Sequence, residues 1–248
     1  MTRVLGAARL GFTEQARRPL LIVLLVVTPF FFITRAIAST EQLPRRAQLP
    51  GGEWTLTTMR DIHGANMAAI TVAFLAGLVG LFVMQSARQA DRRLVLAGFK
   101  PWQALAPRLL VLTSAVVVVV VVSVAVTALS FDAQQWWAFA VGTLLVGCIY
   151  GLLGALAGAA VSRLSATYLV LFGAMLDIGI VQNPMFGSGS PSGLAVVLPG
   201  YGPSRVILDA SFSQSFHAWG PLAIGVGWTL ALGAGVLVAL GRIVSVHR

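Results

Sequence analysis

Two ionisable residues, Arg35 and Asp177, stand inside long apolar stretches, and a serine-rich turn, "FGSGSPSGL" at 186–194, precedes His217. A charge at membrane depth costs at least about 2.5 kcal/mol even on lenient insertion scales, so each should meet a partner, water or the interface. Counting about 1.5 Å per helical residue from the inner boundary, Arg35 lies roughly 24 Å up its stretch and can snorkel outward. Asp177 lies roughly 15–18 Å up its own and is too short for that. It is either a carboxylate facing a polar cavity on a substrate path or a hydrogen-bonded carboxyl holding the end of a short broken helix. Ser188, Ser190 and Ser192 with His217 raise the chemistry of a hydroxyl nucleophile and an imidazole base. A turn exposing that nucleophile would need glycine where Ser190 stands, so the serines read more simply as turn residues.

Other chemistries lack their residues. His63, His217 and His247 are scattered, and none shares a helical i, i+3 or i+4 face with a carboxylate, so no metal site is expected. The sole lysine, Lys100, sits in "GFKP" without the glycine-rich cradle of a phosphate loop, so the chain is not expected to hydrolyse ATP or hold a cofactor itself. Cys148 is the only cysteine, which rules out an intrachain disulfide.

The elements that carry these residues follow from composition. At 57% hydrophobic, 10% charged and mean hydropathy +0.87, the chain reads as a membrane protein. Six stretches are apolar enough to cross about 30 Å of hydrocarbon: Pro19 to Ala38, Ala65 to Gln85, Leu105 to Leu129, Trp136 to Val161, Thr167 to Gln182 and Ala218 to Leu240. The fifth is short and is broken by Asn183 and Pro184. The first is too long for the apolar core of a signal peptide and contains Pro29, so it reads as a retained span. What remains is too short for a separate catalytic domain, so residues 1–248 form one all-α transmembrane domain. Arginines concentrate in the N-terminal segment, the second and fourth loops and the tail, which puts both termini in the cytoplasm. Trp136, Trp137 and Trp219 mark outer span ends. The net charge of +9 is divided among loops on both faces, which suits anionic lipid headgroups and not nucleic acid.

The polar island 88–108 contains a short helix with Asp91 as N-cap and Gly98 at its C-terminal end; Pro101 then opens the next span. Its arginines either fix topology only or frame a docking surface made by Arg92, Arg93, Leu94, Leu96 and Phe99. In the fourth span Gly147, Gly151, Gly154 and Gly158, with Ala155, form a small-residue stripe. Such a stripe lets another backbone approach, either within the subunit or at a dimer seam.

In layout the chain resembles the membrane subunits of type 2 ABC exporters, the ABC-2 permeases. "TRVLGAARLGFTEQARRP" is similar to their N-terminal interfacial helix, here 1–18, and "ARQADRRLVLAGFKPW" to the coupling helix between spans two and three, here 88–100. "VQNPMFGSGSPSGLAVVLPGYGPSRVILDASF" is similar to their outer re-entrant hairpin between spans five and six, here 183–216. The resemblance implies an exporter in the plasma membrane of a bacterial cell, with two such permeases, identical or not. Separate ABC subunits would bind ATP and Mg and push on the coupling helix. It also implies that spans one and five lie close at the subunit seam, where Asp177 could pair with Arg35. The apolar spans favour a hydrophobic or amphipathic cargo: a lipid, a lipophilic antibiotic or a peptide. A rhomboid-like intramembrane serine protease and a channel or structural membrane protein are the alternatives.

Overall fold

The computed structural model describes residues 19–86, 101–186 and 193–245. The segments read as the interfacial helix, the coupling helix and the serine turn at 188–192 lie outside these residues.

The described chain is built of long helices. α1 is Pro19–Ser39, α2 Met59–Ser86, α3 Pro101–Thr127, α4 Trp136–Ala160, α5 Arg163–Ala174, α6 Tyr201–Phe212 and α7 Trp219–Ser245. α5 runs straight into a π-helix, Met175–Val181. Among the described residues five helices are long and apolar enough to cross a membrane: α2, α3, α4, α5 with its π-extension, and α7. The first of the six expected spans is also helical, over the 21 residues Pro19–Ser39, and Leu25–Ser39 within it is a shorter apolar helix.

Valines 116–122 of α3 show the solvent's influence on secondary structure. Seven consecutive β-branched residues would favour a strand in water. In hydrocarbon a lone strand leaves its backbone unsatisfied, whereas a helix bonds every interior N–H to its own chain.

α2 is the axis of the bundle. It packs on α1, α3, α4, α5 and α6, and 72% of its apolar window is buried within the protein, against 17% for α7. Peripheral helices turn large apolar side chains outward, including Phe30, Phe31 and Phe32 on α1, Leu169 and Phe172 on α5 and Leu230 on α7. Such a surface suits acyl chains and not water.

A two-stranded antiparallel ribbon joins α1 to α2 and departs from the all-α expectation. β1 (Pro44–Gln48) pairs with β2 (Trp54–Thr58), in register from Pro44 with Thr58 to Gln48 with Trp54. "LPGGE" makes the turn, with Gly52 at φ +85°, a left-handed value open to glycine. The ribbon delivers Thr58 to the start of α2, where its hydroxyl accepts from the Asp61 N–H at 3.1 Å and donates to the Asp61 carboxylate at 2.7 Å. The hydroxyl thus caps the first turn of α2, with the Asp61 carboxylate holding it in place.

α4 meets α2 backbone to backbone. A methyl group on Gly80 would collide with the Gly151 carbonyl, one on Gly154 with the Gly77 carbonyl, and one on Gly158 would lie 2.8 Å from the Leu81 carbonyl oxygen. Gly147 instead faces Val116 of α3 and Val72 of α2. The stripe on α4 therefore packs inside this chain.

Candidate functional site

A buried polar junction forms where α2, α4, the π-helix and α6 converge. The fifth span does not simply fray at Asn183. Its last turns widen into the π-helix, in which the Gln182 N–H bonds to the Asp177 carbonyl at 2.9 Å, the i to i+5 pattern. Asp177, buried at 6% exposure, takes three hydrogen bonds. The Tyr150 hydroxyl of α4 donates to Oδ2 at 2.6 Å, the Gly200 N–H to Oδ2 at 2.8 Å, and Gln182 Nε2 to Oδ1 at 3.2 Å. Gln182 Nε2 also donates to the Ala195 carbonyl at 2.9 Å.

Each partner arrives from a different element, and glycine at position 200 makes the approach possible. A methyl group there would lie 2.7–2.8 Å from all three carboxyl atoms of Asp177. Nearby, Asn66 of α2 donates to the Ile178 carbonyl at 3.4 Å, Asn183 Nδ2 to the Gly179 carbonyl at 3.2 Å, and His63 Nδ1 lies 3.2 Å from Met185 Sδ. These bonds tie the widened end of the fifth span to α2 and α6.

α6 is fixed at its other end by Asp209, which is fully buried. Its carboxylate accepts from Ser213 Oγ at 2.8 Å and from the His217 and Ala218 N–H groups at 2.7 and 3.1 Å, just before α7 begins. The start of α4 joins this knot: the Gln135 N–H donates to the Ala210 carbonyl at 2.9 Å and its side-chain amide to the Ser213 carbonyl at 2.7 Å. Trp137, Phe216 and Trp219 pack in series beside it, tilted and then edge to face, with ring centroids 5.2 and 4.9 Å apart.

Along α6, Arg205 is half-buried and has neither a hydrogen bond nor an ion pair among the described residues. Tyr201 and Asp209 act on it electrostatically, against the cost of its burial. Next to it, the buried Ser204 hydroxyl also lacks a hydrogen-bond partner.

The structure sorts the residues singled out in the sequence. Asp177 lies at the centre of the junction. Arg35 is exposed on α1 and is not among the partners that Asp177 finds within this chain. Gly147, Gly151, Gly154 and Gly158 are buried in α4. Arg92, Arg93, Leu94, Leu96 and Phe99 lie outside the described residues, as do Ser188, Ser190 and Ser192. His217 stands near a different serine, with Ser215 Oγ 3.1 Å from its Nε2 and Asp209 Oδ1 3.9 Å from its Nδ1. The order is that of a hydrolytic triad. At 3.9 Å, however, no bond orients the imidazole, and Asp209 already serves three other donors. Tyr150, Gln182, Gly200, Arg205 and Asp209 had not been singled out as site residues. Tyr150 is the one with a signal in the sequence, a phenol in the middle of an apolar span.

Among the described residues no group of three or more His, Cys, Asp or Glu could hold a metal ion. The long apolar helices, the lipophilic outer surface and the internally satisfied polar junction together define a multi-pass helical membrane protein. No family model matches the chain, and no curated protein does.

Proposed function

We propose that this chain is the permease subunit of an ATP-driven exporter of the ABC-2 kind, moving a hydrophobic or amphipathic cargo with separate ATP-binding subunits. The observation that carries the reading is α6. It is a short helix between the fifth and last spans that packs on α4 and α7, held at one end by Asp177 and at the other by Asp209. A half-crossing helix of this kind, with its ends bonded inside the protein, suits a re-entrant hairpin at the external mouth of a transport path. The apolar outer surface supports a bilayer location, and the apolar spans support a lipid-like cargo.

The reading assigns the coupling role to Arg92, Arg93, Leu94, Leu96 and Phe99, the inner-membrane orientation to the arginine-rich loops, and ATP and Mg binding to the partner. Purification of the tagged chain from its native membrane tests it. Mass spectrometry should find an ATP-binding ABC subunit in stoichiometric amount, with ATPase activity that rises on permease binding. Changing Leu94 and Leu96 together to Asp should abolish that rise while the chain still inserts. A chain that purifies without such a subunit, or a double variant that keeps full stimulation and transport, would defeat the respective assignment.

A further inference from the structure

Gly202, Pro203, Ser204 and all of Val206–Ser211 are buried, so only Tyr201, Arg205 and Phe212 of α6 keep partial exposure. At 3.6 residues per turn these three positions fall within about 40° of one another, so the open face of α6 is a single stripe with a cation between two aromatic rings. Arg205 makes no hydrogen bond or close ion pair there among the described residues, although Asp209 acts on it electrostatically. Asp209, one turn further on, is fully buried and accepts from Ser213, His217 and Ala218.

Depth along α6 follows from its anchors. Asp209 bonds to the residues that open α7, beside the exposed Trp137 and Trp219, an aromatic pair of the sort found at the level of lipid headgroups. Arg205 precedes Asp209 by four residues, about 6 Å along the helix, which is just inside that level and within reach of it for a long side chain. A half-buried guanidinium whose donors are unbonded at that depth is costly unless an acceptor meets them.

We infer that Arg205 anchors a binding site for the phosphate group of an amphiphile whose apolar part lies along Tyr201 and Phe212. The guanidinium offers a planar fork of donors matched to phosphate oxygens, and the flanking rings offer apolar surface to acyl chains. Fixing α6 at both ends holds the backbone that carries Arg205, so binding has only the side chain left to order. The inference requires only that the chain sits in a bilayer. Its test uses the purified chain without any ATP-binding partner, so it stands or fails separately from the exporter reading.

Dioleoylphosphatidylglycerol, diolein and inorganic phosphate are titrated against the chain in maltoside micelles, with native mass spectrometry as the readout. Phosphatidylglycerol should bind at least tenfold more tightly than diolein, which lacks the phosphate, and than inorganic phosphate, which lacks the chains. Arg205→Gln should erase the preference over diolein at unchanged Tm, Arg205→Lys should keep part of it, and Arg45→Gln, at an exposed position on β1, should keep all of it. Equal binding of phosphatidylglycerol and diolein by the unaltered chain would overturn the site even if the Gln variant failed to fold. A preference that survives in a folded Arg205→Gln chain would overturn the role of Arg205. Inorganic phosphate binding as tightly as the lipid would overturn the assignment to an amphiphile.

Discussion

The Gly200 N–H donates to Asp177 Oδ2 across 2.8 Å, joining the widened end of the fifth span to the residue just before α6. Gly200→Ala should therefore break the junction, because its methyl group would meet the whole carboxyl group at 2.7–2.8 Å. The expected cost is about 1–3 kcal/mol, typical of overpacking a tight site. Thermal unfolding in detergent checks it, and an unchanged Tm would show that the contact yields without cost.

The Asp177 carboxylate is expected to matter as an acceptor. Asp177→Ala strands the Tyr150 hydroxyl and the Gly200 N–H in a buried site, at about 1–3 kcal/mol for each group left unpaired. Asp177→Asn keeps one oxygen for both of those donors and should lose distinctly less. In double-mutant cycles, Asp177→Asn with Tyr150→Phe should show coupling, whereas Asp177→Asn with Arg35→Gln should be additive to within about 0.5 kcal/mol. Coupling in the second cycle would mean that Arg35 reaches the carboxylate after all.

Glycines that look alike in the sequence should differ sharply on substitution. Gly80→Ala and Gly154→Ala each push a methyl group onto the opposing backbone of α4 or α2, and backbone cannot swing aside. A loss of at least about 2 kcal/mol is expected, from overpacking and lost close approach. Gly151→Ala meets Leu112 and Val116 at an ordinary 3.4 Å, and Gly173→Ala and Gly227→Ala meet nothing within 4 Å. These three should be neutral or gain up to about 1 kcal/mol of helix propensity. Equal effects across the set would remove the backbone contact as the cause.

Asp209→Ala should loosen the junction of α4, α6 and α7 together, because it frees three donors at once. The expected loss is about 3 kcal/mol or more, from unpaired buried groups. Limited proteolysis should then open the 213–218 segment before any span is cut. Ser215→Ala, at an exposed position, should leave both stability and proteolysis unchanged.

The long helices could be read from the sequence because hydrocarbon demands about twenty apolar residues for a crossing, whatever they pack against. Pro101 as the opening residue of α3 was legible for a similarly local reason, since proline is preorganised for a first helical turn. The ribbon was missed although its signal is present: "LPGGE" between two short runs makes a turn, but the six-span pattern treated the segment as loop. The α4 stripe was visible, while its partners Gly77 and Gly80 were not, because composition alone does not say which helix faces which. Asp177 stood out as a charge among apolar residues, yet its partners did not. Tyr150 and Gly200 lie 27 and 23 residues away in opposite directions along the chain, and only the fold brings them to one carboxylate. Arg163, counted in the sequence only as a topology charge, also lies over the Phe82 ring, 4.9 Å from its centre.

Because α2 and α4 touch through carbonyls and glycine α-carbons, no layer of side chains lies between them at Gly77, Gly80, Gly151 and Gly154 to act as a bearing. Sliding one helix past the other by a single residue would drive a Cβ into a carbonyl, so the two form one stiff strut. α7, little covered by the rest of the chain, and α1, with its outward phenylalanines, meet their surroundings through side chains that can change rotamer. Among the described helices, rocking of α1 or α7 is therefore expected to cost less than sliding α2 along α4. The π-helix, bonded to α2 through Asn66 and to α4 through Tyr150, fastens the end of the fifth span to that pair.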